Sequence, residues 1–110
     1  MRNFIHKELA NGKWFEISLP EQLANIGSEV NRVVKSQGKD KETFWKAVER
    51  TLELFDLTLE DKRWKERKRE IARARELFCD AFYGGKEYES KFEDLDRYFL
   101  QFAFLARSGV

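Results

Sequence analysis

From Ser18 onward the apolar residues return at three- and four-residue steps, the pattern of helices with one buried face. The first stripe is Leu19, Leu23, Ile26, Val30, Val33 and Val34. It opens at Ser18-Leu19-Pro20-Glu21, a capping box in which the serine hydroxyl accepts from a first-turn amide and the glutamate reaches back. Pro20 fits there because first-turn amides have no helical acceptor to lose. Ala24, Gly27 and Asn31 flank the stripe, and their small side chains let a neighbouring helix come close. Ser36-Gln37-Gly38-Lys39-Asp40 ends this helix. A second is predicted from Lys41 to Phe55, with Phe44, Val48, Thr51, Leu52 and Phe55 on one face and Trp45 extending it.

Asp56-Leu57-Thr58 reads as a break, because Thr58-Leu59-Glu60-Asp61 has the form of a new helix start. A long third helix is then predicted as far as Tyr83, with Trp64, Ile71, Ala74, Phe78, Ala81 and Phe82 as its stripe and Gly84-Gly85 closing it. Cys79 falls close to that stripe, where it serves as a small hydrophobe. Ser90-Lys91-Phe92-Glu93 is another capping box, opening a last helix that runs through Leu105 to a stop at Ser108-Gly109. The first seventeen residues allow two readings: Asn11-Gly12 as a hairpin turn between Ile5–Leu9 and Trp14–Ile17, or Gly12 closing a short helix begun at Asn3. Extended or hairpin structure is preferred, with Trp14, Phe15 and Ile17 packing on the helices either way. The expected fold is therefore all-α: a four-helix bundle-like single domain over 18–110, preceded by a short N-terminal appendage over 1–17.

Composition narrows the chemistry. At 110 residues the chain has room for one core, and 42% hydrophobic with 37% charged residues excludes a disordered chain. A single Cys excludes an internal disulfide framework or a cysteine-clustered zinc site. A single His, ahead of the bundle, excludes a di-iron centre built on Glu-x-x-His pairs. There is no glycine-rich phosphate loop and no nucleophile elbow, so no enzyme activity, cofactor or small-molecule ligand is expected. No apolar run has the length of a membrane span or the form of a signal segment, which makes the cytoplasm the expected location.

The net charge of +1 conceals a polarised chain. Residues 62–75 hold eight basic and two acidic residues, and 76–96 hold seven acidic and two basic. Lys62, Arg63, Lys65, Arg67, Lys68, Arg69 and Arg73, with Trp64 the single apolar side chain among the first of them, are candidate contacts to a nucleic-acid backbone. The alternative is a solvated helix neutralised by acids of its own chain or of a partner subunit. Arg75 falls inside the apolar stripe and therefore needs a carboxylate: Glu53 or Asp56 on the second helix is preferred, with Glu49 beside them and Glu29 on the first helix as further candidates. Glu49, Glu53 and Asp56 share one arc of that helix, and the E-x-x-D spacing of Glu53 and Asp56 is similar to the magnesium-holding pairs of all-α nucleotide pyrophosphohydrolases of the MazG type. That family also has an E-E-x-x-E run on the preceding helix, where this chain offers only Glu21 and Glu29.

The last helix is apolar on more than one side. Phe92, Leu95, Phe99, Phe102 and Ala106 form the core stripe, yet Leu100 and Phe104 project from the opposite side. A helix apolar all round is covered all round. Two covers are possible: a second copy of the chain in an isologous dimer, which is preferred, or the chain's own Trp14-Phe15-Ile17.

Four stretches carry a family resemblance: Ser18-Leu-Pro-Glu-Gln-Leu-Ala-Asn-Ile-Gly-Ser-Glu-Val30, Arg50-Thr-Leu-Glu-Leu-Phe-Asp-Leu-Thr58, Arg73-Ala-Arg-Glu-Leu-Phe-Cys-Asp80 and Tyr98-Phe-Leu-Gln-Phe-Ala103. Together they resemble a group of small uncharacterised prokaryotic proteins. The resemblance implies a bacterial or archaeal source and a compact helical unit, and brings no activity or site residue with it.

Overall fold

A computed structural model describes residues 12–84 and 91–107. Four helices make the domain: α1 (Leu19–Ser36), α2 (Lys41–Glu60), α3 (Lys68–Phe82) and α4 (Phe92–Arg107). A 3-10 segment, Lys13–Glu16, precedes α1 and a second, Lys62–Arg67, joins α2 to α3, and no strand occurs among the described residues. The all-α bundle expected from the periodicity is the fold found. Among the described residues no helix is long and apolar enough to cross a membrane.

Each helix buries the face its stripe marks. Leu19, Leu23, Ile26, Val30 and Val33 of α1 meet Val48, Leu54 and Phe55 of α2, Ile71, Ala74 and Phe78 of α3, and Phe92, Leu95 and Phe99 of α4 in one core. The phenylalanines form a chain through it. Centroids of Phe99–Phe55, Phe55–Phe78, Phe78–Phe92 and Phe92–Phe44 lie 5.9, 6.0, 5.4 and 6.1 Å apart. Tilted and edge-on contacts at such distances add about 0.5–1.5 kcal/mol each beyond the area they bury.

α1 packs most extensively on α4, its partner from the far end of the chain. The small-residue flank is what brings them together: a Cβ added at Gly27 would lie 2.7 Å from Phe99 Cβ. Beside this contact Asn31 Nδ2 donates to both carboxylate oxygens of Asp96 at 3.2 Å, fixing the register. Caps set the helix starts. The Glu21 amide donates to Ser18 Oγ at 3.3 Å, and the Glu21 carboxylate takes the serine hydroxyl at 3.1 Å instead of reaching the backbone. Asp40 caps α2 by accepting from the Thr43 amide and hydroxyl at 2.9 and 2.6 Å, which together hold its carboxyl below the ordinary value. Gly84, at φ 89°, closes α3 in the left-handed region. The cap assigned to Ser90, the role of Gly85, the stop at Ser108-Gly109 and any structure begun at Asn3 lie outside the described residues.

Two expectations are corrected. Trp14–Ile17 is not a strand: Lys13–Glu16 is a 3-10 turn started by Gly12 at φ 122°. Nor does α2 break at Asp56-Leu57-Thr58. It continues to Glu60, because Leu54 and Leu57 are both buried and the Thr58 hydroxyl bonds back to the Leu54 carbonyl at 2.9 Å, as a helical threonine does. The break falls at Asp61, whose side chain accepts from the Arg63 amide at 3.0 Å. The long third helix is accordingly divided into the 3-10 segment and α3, with Trp64 out of helical geometry at φ −102°, ψ 25°.

Candidate functional site

Three features are candidates for a functional role. The first is the outer side of α4. Leu100 is 56% and Phe104 62% exposed, and Leu105 beside them is exposed as well. The segment offered as the alternative cover is engaged elsewhere: Trp14 sits against α2 and α1, its Nε1 donating to Thr58 Oγ1 at 3.0 Å and its carbonyl accepting from Gln22 Nε2 at 2.8 Å. Trp14-Phe15-Ile17 therefore does not cover this face: Leu100 and Phe104 stay exposed, while Trp14 is buried and Phe15 and Ile17 pack against the core. A shallow groove of about 410 Å³ runs along α4 beside Leu100, walled by Ala24, Gly27 and Ser28 of α1 and by Ala103. Glu93, Arg97, Leu100, Phe104 and Arg107 recur at steps of four and three, so they share one face, acidic at one end and basic at the other.

The second is a buried polar node that the sequence reading did not single out. Gln22 lies fully inside the α1 stripe and joins three segments: its Nε2 donates to the Trp14 carbonyl and, at 3.0 Å, to Asp61 Oδ2, while its Oε1 accepts from Trp64 Nε1 at 2.7 Å. Asp61, also buried, receives Arg63 NH2 at 2.7 Å and Nε at 3.0 Å. Burial pushes the Asp61 carboxyl up, but the bonds from Arg63 and Gln22 outweigh it and hold the group below its ordinary value. Arg63 NH2 also donates to the Ile17 carbonyl at 2.7 Å, and its guanidinium lies 4.4 Å from the Trp64 ring centroid. Trp64 leaves helical geometry where it makes this set of bonds. The signal was present: Gln22 occupies the arc of Leu19 and Ile26, where a polar residue demands a partner.

The third is the basic segment. Arg63 is committed to the node and is thus not a free phosphate contact. Arg67 pairs with Glu70 at 2.9 Å and Arg73 with Glu76 at 3.5 Å, both exposed pairs three residues apart. Arg67 is thus neutralised by an acid of the basic run itself, and Arg73 by Glu76, the first residue of the acidic block at 76–96. Lys62, Lys65, Lys68 and Arg69 are exposed and make no ion pair among the described residues.

Arg75 Nε meets Asp56 Oδ1 at 2.9 Å, with both side chains about one-third exposed, so the pair borders the core instead of lying in it. Its other end reaches to 3.9 Å from Cys79 Sγ. Glu53 is buried, Glu49 exposed and Asp56 engaged by Arg75. Among the described residues no three His, Cys, Asp or Glu side chains gather into a metal-sized group, Glu49, Glu53 and Asp56 included. On α1 the Glu29 carboxylate is buried, with Oε1 3.3 Å from Arg32 and no hydrogen-bond partner for Oε2 among the described residues.

No protein-family model, no curated protein and no solved structure matches this chain.

Proposed function

We propose that this protein is a non-catalytic, cytoplasmic interaction module that pairs with a second copy of itself through the outer face of α4. The supporting observation is the exposed pair Leu100 and Phe104 at the middle of a face whose ends carry opposite charge. Leu100 lies at the midpoint of α4, seven residues from both Glu93 and Arg107. An antiparallel, two-fold pairing about Leu100 sets Glu93 of each copy opposite Arg107 of the other. It also lays Phe104 over the partner helix. Such pairing is self-complementary, as a closed dimer requires, and each large side chain it covers contributes about 1.5–3 kcal/mol. A parallel pairing would oppose like charges at both ends. Light scattering should give twice the 13.2 kDa of one chain. Phe104→Glu should give a folded monomer with unchanged helix content, because Phe104 is peripheral to the core; a wild-type monomer at high micromolar concentration would end this reading.

A second reading is contact with a nucleic-acid backbone through Lys62, Lys65, Lys68 and Arg69, favoured by their exposure and freedom from ion pairs. Heparin retention should then fall steeply with salt and be lost in a Lys65→Glu/Arg69→Glu double variant, with the fold intact. Retention unaffected by that double change would discard it.

A further inference from the structure

We propose a binding site for an anion carrying two or more phosphate groups in the cleft between α1 and α2, apart from the basic segment; Arg32 and Lys35 stand between this cleft and the groove beside Leu100 and border both. Arg32 and Lys35 of α1 and Lys46 and Arg50 of α2 line a cleft of about 240 Å³ whose floor is the nearly buried Ala47 and Ser36. Four cations thus come from two antiparallel helices onto one concavity. Within each helix the two are spaced by one turn, three residues apart on α1 and four on α2, where like charges repel. The facing pairs repel again across the cleft.

The carboxylates nearby do not cancel this. Glu29 takes one contact from Arg32 at 3.3 Å, and exposed Glu42 takes Lys46 at 3.2 Å. Lys35 and Arg50 pair with no carboxylate among the described residues. Asp40 is turned to its own cap, bound to Thr43. The hydroxyl hydrogens at the cleft are spent as well: Ser36 donates to the Arg32 carbonyl at 2.6 Å and Thr43 to Asp40. Recognition therefore falls to the guanidinium and ammonium groups, which select for charge and for the planar pairs of oxygens that arginine forks match. A singly charged carboxylate satisfies one wall only. A di- or triphosphate spans both, relieves the repulsion and draws the helices together.

The test is calorimetric titration of the whole protein with tripolyphosphate at low salt, with inorganic phosphate alongside. Tripolyphosphate should bind, orthophosphate much more weakly, and Arg50→Gln should weaken binding about tenfold, the loss of one charge-assisted bidentate contact. Arg50→Lys should recover part of that affinity, since it restores charge without the fork. The monomeric Phe104→Glu variant should bind as wild type does, which separates this site from self-association. Absence of binding, equal affinity in Arg50→Gln, or loss of binding in Lys65→Glu/Arg69→Glu instead would overturn the proposal.

Discussion

Asp61→Ala should be the most damaging single change outside the apolar core, lowering stability by about 3 kcal/mol as measured by urea unfolding. The side chain is 3% exposed and accepts from Arg63 and Gln22, so its loss leaves an amide nitrogen and a guanidinium facing a void. Arg63 is 40% exposed and can turn to water, which keeps the penalty below that of a fully buried pair. Gln22 cannot turn out, being fully buried beneath Trp14 and Trp64. The 3-10 turn at Lys13–Glu16 and the segment at Lys62–Arg67 should both loosen, which Trp14 and Trp64 fluorescence would register.

The same residue gives a pH dependence of fixed sign. Its carboxyl is held below the unfolded value of 3.8, so its contribution is complete above that pH and lost as pH falls through the lower folded value. The wild type should therefore lose stability more steeply than Asp61→Asn on acidification below about pH 4. Asp40, also held low, remains in both proteins and leaves a common residual slope. Identical acid profiles for the two would mean that the Arg63 and Gln22 bonds do not stabilise the charged form.

Gly27→Ala should destabilise, although alanine is the better helix former by about 1 kcal/mol. The new Cβ would stand 2.7 Å from Phe99 Cβ and 3.6 Å from the Phe99 carbonyl carbon. Neither atom can be moved by rotating a side chain, so α4 must back away from α1 and loosen the ring contact of Phe99 with Phe55 on α2. Overpacking of this kind costs about 1–3 kcal/mol, which exceeds the propensity gain. With a domain of this length each kcal/mol moves Tm by roughly 4–8 °C, so calorimetry should read a clear drop. A rise in Tm would show that the two helices are held apart by something other than this glycine.

What could be read from the chain and what could not divide along a physical line. Apolar stripes are set by the helical repeat, and those of α1 and α4 mark most of the apolar residues that are buried, with the small flank at Ala24 and Gly27 half-buried beside them. Caps at Ser18 and Asp40 are equally local. The boundary at Asp61 was missed because its cause is not local. Asp56-Leu57-Thr58 has the composition of a helix start, but Leu57 is held by the core and Thr58 by Trp14, a residue 44 positions earlier. The polar node was missed for the same reason: Gln22, Asp61, Arg63 and Trp64 acquire meaning only when α1 and the end of α2 are side by side. The basic run shows the converse. Counting charges made it a uniform block, whereas local pairing takes up Arg63, Arg67 and Arg73 and leaves a sparser set of cations.

The preference of α1 for α4 has a consequence for how the chain is made. Synthesis delivers α1 first and its principal partner last, with Asn31 and Asp96 separated by 65 positions. While α2 and α3 emerge they can cover one side of α1, but the flank containing Gly27 has no neighbour until Phe99 leaves the ribosome. Long-range closures of this kind are slow relative to the growth of local helices, and unfilled apolar surface in the interval is where nascent chains go astray. The arrival of α4 seals the face of α1, and the same event sets Leu100 and Phe104 on the outer side of the bundle. Whatever surface α4 offers is therefore presented only once α1 is covered, a timing set by the order of the helices alone.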